Sequence, residues 1–115
     1  MDAFAKFALQ FHEDIYEEDD EGNVLRIPSF DELVFHAAPD YRDALENLLA
    51  DLNMIIAKKA FDRARKLSLM YAATPFMIEE KEREQIHRIK KIVEILIECS
   101  PITFPQLEME LKNRS

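Results

Sequence analysis

The chain has one glycine, one cysteine and no tryptophan among its 115 residues. A single glycine argues against turn-dense sandwiches and barrels, and it leaves no glycine-rich loop to cradle a phosphate. A single cysteine, Cys99, excludes an internal disulfide and a cysteine-based zinc site, and it fits a reducing compartment. No run of eighteen apolar residues occurs, so nothing reads as a membrane span. The opening MDAFAKFALQFHEDIYEE lacks the basic region and continuous apolar stretch of a secretory leader. The expectation is a cytoplasmic protein with no membrane partner.

Catalytic signatures are missing as well. His12, His36 and His87 are scattered, and no HExxH or comparable ligand spacing surrounds them. Carboxylates abound, but nothing marks one pair for acid–base work. Cys99 sits at a helix end with no motif around it. A non-enzymatic chain with no cofactor and no metal is expected.

What is present is an apolar content of 48% in a length that suits one domain, residues 1–115, with one core. Tyr41, Leu45, Leu48, Leu52 and Ile55 recur at spacings of four and three, which places one stripe along a helix. The stripe slips at Ile55-Ile56 and resumes at Ala60, Ala64, Leu67 and Tyr71, so the facing surface rotates. Asp40 after Pro39 reads as the N-cap, and Pro75 as the stop. One helix from Asp40 to about Ala73 would be roughly 50 Å long, more than such a domain buries along its length.

A second segment, Ile78 to about Cys99, carries Ile86, Ile89, Ile92, Val93, Leu96 and Ile97 on a broad apolar face. Its acidic first turns suit the helix dipole, and Glu79 with Arg83 and Glu84 with Arg88 stand at ion-pair spacing. The short turn between the segments predicts an antiparallel hairpin. The fold class read from this pattern is all-α, a helical bundle of about four helices centred on that hairpin.

Around the hairpin, Phe4, Phe7, Ala8, Phe11 and Ile15 predict an amphipathic helix over the first eighteen residues. Residues 17–28 read as an acidic loop, with Gly22-Asn23 turning it and Val24 to Ile27 extended. Ser29 and Glu32 form a capping-box pattern for a short helix ending near Ala37. In the tail, residues 100–115, the signals conflict. Leu107, Met109 and Leu111 alternate as in a strand, whereas Thr103, Pro105 and Gln106 resemble a helix start, and a short helix is the reading taken.

The net charge of −8 conceals a division. Residues 1–51 hold fourteen acidic and three basic side chains, whereas residues 52–115 hold nine and twelve. The cations concentrate in Lys58, Lys59, Arg63, Arg65 and Lys66, then in Arg83, His87, Arg88, Lys90 and Lys91. In an antiparallel hairpin the two runs meet, and one positive surface could face nucleic-acid phosphates or an acidic protein. The ordinary role of such a band is a solvated face, and no stacking aromatics interleave it.

The run Ile55-Ile56-Ala57-Lys58-Lys59-Ala60-Phe61-Asp62-Arg63-Ala64-Arg65-Lys66-Leu67-Ser68-Leu69-Met70-Tyr71-Ala72, with Met77 to Glu84 and Ile92 to Leu96, resembles the helical domain of the GINS family of replication-complex subunits. It is most similar to their archaeal type. In that family a long helix ends in Arg-x-x-Lys-[apolar]-x-x-x-Ala, which Arg63, Lys66 and Leu67 follow, with Ala72 one position beyond the pattern's alanine, and an acidic turn opens the next helix. The resemblance covers about residues 54–97. It implies a non-enzymatic scaffold that joins a DNA replication complex through subunit interfaces, with a protein partner or a homo-oligomer. The alternative is a small acidic regulatory protein that contacts nucleic acid through the basic band or mimics it through its acidic half.

Overall fold

A computed structural model of the chain describes residues 1–11, 17–26, 28–72 and 75–114. The elements run α1 (Asp2–Leu9), β1 (Glu17–Glu18), β2 (Val24–Arg26), α2 (Phe30–Ala37), α3 (Arg42–Ala57), α4 (Phe61–Tyr71), α5 (Glu82–Cys99) and α6 (Phe104–Asn113). The class is all-α apart from one short hairpin. Six helices among the described residues replace the expected four or so, because the longest segment divides and the tail is helical.

The hub is α5, which packs against α3, α4, α2 and α6. Ile86, Ile89, Ile92, Val93, Ile95 and Leu96 are all buried along it. At 100° per residue Ile95 falls well outside the stripe of the others, so this helix is covered on more than one side. Ile97, expected in the apolar face, is only half-buried. The helix starts at Glu82 rather than Ile78, because Lys81 N–H donates to the Ile78 carbonyl across a turn in which Glu80 has φ +73°. Glu79 therefore lies outside the helix, and the expected Glu79–Arg83 and Glu84–Arg88 pairs are not made.

The expected continuous helix from Asp40 to Ala73 is two helices. Lys59 N–H donates to Ile56 O at 3.2 Å and Ala60 N–H to Ile55 O at 2.9 Å, with Lys59 at φ +53°. That is a Schellman closure, with lysine in the left-handed position usually filled by glycine. The slip of the apolar stripe at Ile55-Ile56 marks this break. The start is also corrected: Asp40 lies outside, Tyr41 holds the cap position without a side-chain hydrogen bond, and Tyr41 is 69% exposed. Leu45, Leu48, Leu52 and Ile55 do form the core stripe, each at most 2% exposed. Burying a side chain of that size contributes about 1.5–3 kcal/mol.

The first helix is shorter than the eighteen residues expected, stopping at Leu9, and Ile15 lies outside the described residues. Its aromatic stripe is nevertheless core. Phe4, Phe7 and Phe11 are buried, and Phe76, from the α4–α5 connection, stacks on Phe11 at 3.7 Å between ring centres. Gln85 secures that connection, donating to Phe76 O at 3.0 Å and accepting from Ile78 N–H at 2.8 Å. Asp51 on α3 caps the first turn of α1 by accepting from Phe4 N–H at 3.0 Å.

Part of the acidic loop is a hairpin. Glu17 pairs with Arg26 and Glu18 with Val24, and Ile27 lies outside the described residues. Gly22 at φ +84° follows a turn closed by Gly22 N–H to Asp19 O, the three-residue connection that needs a left-handed residue there. Asp19 Oδ1 accepts from the Glu21 and Asn23 amides, and the Asn23 bonds foremost hold its carboxyl below the usual range. Ser29 Oγ caps α2 by accepting from Glu32 N–H. The conflicting tail resolves as helix α6, with a full Thr103/Gln106 capping box and with Leu107 and Leu111 buried.

Candidate interaction surface

The paired helices α4 and α5 run antiparallel, which sets the positions of the ten predicted surface residues. The Phe61 and His87 rings lie 6.3 Å apart, and Arg65 Nε lies 4.0 Å from Glu82 Oε1. Residues 61–65 therefore face residues 82–87, the register that brings the two cationic runs together.

The runs do not merge into one uniform positive face, because several cations are already held. Arg65 is tucked to 16% side-chain exposure, with Nη2 donating to Asp62 Oδ1 at 3.1 Å. Its Nε and Glu82 Oε1 are buried without a hydrogen-bond partner, so this contact is an ion pair by proximity alone. Lys66 pairs with Asp62 at 2.9 Å. Hydrogen bonds from Lys66 first, then Arg65, hold the Asp62 carboxyl below the ordinary range. Arg88 turns away to grip Asp31 on α2, a bond that raises its pKa. Lys91 donates to the Arg114 carbonyl at 3.4 Å.

Four cations remain exposed and have no ion pair or hydrogen bond among the described residues: Lys58 and Lys59 at the α3–α4 corner, Arg63 on α4 and Arg83 on α5. His87 is exposed beside Phe61, and Lys90 is half-buried. Acidic side chains intersperse them, so the surface is charged but mixed. Exposed Asp62, Glu79, Glu80 and Glu84 belong to the same two helices and their connection.

Sequence reasoning missed the apolar part of this end of the molecule. Met70 is 74% exposed, and Leu69, Tyr71 and Ile78 are also exposed. Ala64 and Ser68 are the fully buried residues of α4, so this helix buries a narrow stripe and turns much of its apolar content outward. A signal existed: Leu67-Ser68-Leu69-Met70-Tyr71 holds more apolar residues than one side of a helix can cover. Among the described residues no three histidine, cysteine or carboxylate side chains could hold a metal ion, and no helix is long and apolar enough to cross a membrane. No protein-family model, curated protein or solved structure matches the chain.

Proposed function

We infer that the protein is a non-enzymatic interaction subunit that uses the α4–α5 end to bind another protein chain, either a second copy or a related subunit. The observation that carries this is the coincidence, on α4, α5 and the turns that flank α4, of Lys58, Lys59, Arg63 and Arg83, unpaired among the described residues, with exposed Leu69, Met70 and Ile78. Apolar side chains amid charges of both signs suit a protein surface with its own apolar patch and complementary charges. The resemblance of residues 54–97 to GINS helical domains supports the same reading and extends it to a scaffold role in DNA replication.

Nucleic acid is the weaker fit. Phosphate binding draws on several free cations, and here Arg65, Lys66, Arg88 and Lys91 are held by protein groups while carboxylates intersperse the rest. Sedimentation over a range of concentrations, alone and with single-stranded and duplex DNA, separates the readings. Concentration-dependent assembly that Arg63→Glu with Met70→Asp abolishes, without DNA binding at low salt, is expected. DNA binding with a steep salt dependence that Arg63→Glu removes would replace this reading with the other.

A further inference from the structure

A second surface lies in the acidic half of the chain. Helix α1, the end of α2, the 38–41 connection and the first three turns of α3 line an open groove of about 850 Å³. That volume lies within the roughly 300–1,000 Å³ range of ligand clefts. Its walls include Ala3, Ala38, Ala44 and Ala50, whose small side chains leave space between the backbones unfilled. Phe7 and Leu48 are buried at its base, and Leu9 and Tyr41 stand 52% and 69% exposed on its lining. Three carboxylates on its walls, Asp2, Asp40 and Asp43, are exposed and have no ion pair among the described residues, whereas Lys6 supplies one opposing charge.

We propose that this groove receives a cationic amphipathic segment of a partner protein, with apolar side chains against Leu9 and Tyr41 and lysines or arginines against Asp2, Asp40 and Asp43. The mode is that of an amphipathic helix laid into a groove, where apolar anchors give affinity and charge gives orientation. The charge of the chain selects the occupant. Residues 1–51 carry fourteen acidic against three basic side chains, so the field around the groove attracts a cation and repels nucleic acid. The same field opposes the acidic half of a second copy, which carries the same fourteen acidic and three basic side chains. A metal ion is a poorer occupant, because no trio of ligating side chains converges among the described residues. This site does not depend on the α4–α5 reading, because it uses other residues and the opposite charge.

The test is fluorescence anisotropy with a labelled peptide of leucine and lysine at helical spacing, beside a peptide of the same composition with the spacing scrambled. Asp40→Asn with Asp43→Asn removes charge without changing shape, and Ala50→Trp fills the groove from an exposed position. Glu108→Gln, on α6 outside both surfaces, serves as the control. The expected result is binding of the patterned peptide that weakens with salt, falls about tenfold in either groove variant and is unchanged in the control. Equal binding of both peptides, or groove variants that bind like the wild type, would reduce the effect to diffuse attraction and overturn the site. Absence of binding would overturn it too, as would self-association abolished by the Asp40/Asp43 change, which would make the occupant a second copy.

Discussion

Arg88 on α5 holds Asp31 on α2 through two parallel hydrogen bonds, Nε to Oδ1 and Nη2 to Oδ2, each 2.8 Å. The residues stand 57 apart in sequence, and the side chains are 37% and 25% exposed. Sequence reading places Arg88 in a binding surface. The pair makes it instead a clamp between two helices. Arg88→Ala is therefore expected to lower unfolding stability by about 1–2 kcal/mol in urea titrations, and to leave partner binding unchanged in the folded fraction. Lost binding at unchanged stability would return Arg88 to the interface.

Lys59 occupies a left-handed position, φ +53°, at which glycine is relaxed and a side chain is strained. Lys59→Gly is expected to raise stability by about 0.5–1 kcal/mol, read as a higher urea midpoint with an unchanged slope. Lys59→Val is expected to lower it. A glycine variant weaker than the wild type would mean the Lys59 side chain supports the corner.

Helix α5 is buried on more than one side, and two neighbouring isoleucines test this. Ile95 is fully buried and Ile97 is half-buried, the reverse of what the stripe pattern suggests. Ile95→Ala should cost about 2–4 kcal/mol. Ile97→Ala should cost about 1 kcal/mol. Leu52→Asp, at a site with no solvent exposure, should prevent folding, as seen by circular dichroism.

The Asp62 carboxyl titrates below its ordinary value because Lys66 and then Arg65 bond to its charged form. Its folded-state pKa lies below the unfolded one, so its contribution to α4 is present above about pH 4 and is lost as acid protonates it. Asp62→Asn should therefore be less stable than the wild type at pH 6, with the gap narrowing as the pH falls below about 4. A gap that persists in acid would trace the effect to shape rather than charge.

Much of the fold is legible in the sequence where local rules and tertiary packing agree. The 45, 48, 52, 55 stripe, the Ser29 cap and the Thr103 helix start all read correctly, because spacing and capping are local properties. The break at Lys58–Ala60 is legible only as a slip in the stripe, because its closure uses a lysine where glycine is the usual marker. The shortened α1 escapes detection because Phe11 keeps helical spacing after the helix has ended. Its burial comes from stacking on Phe76, a contact no local pattern encodes. The surface is the least legible part. Which cations stay free depends on long-range pairs such as Arg88–Asp31, and the exposed Leu69 and Met70 stand off the 60, 64, 67, 71 stripe, where spacing does not say what covers them.

The most direct test of the interaction reading is the mass of the complex recovered from cells that express the tagged protein at native abundance. Wild type is compared with Arg63→Glu/Met70→Asp. The expected result is a defined assembly of fixed stoichiometry for the wild type, and a free 13.5 kDa chain with unchanged unfolding for the variant. A wild-type protein recovered as the free chain, or an assembly that survives the double change intact, would contradict a contact surface at the α4–α5 end.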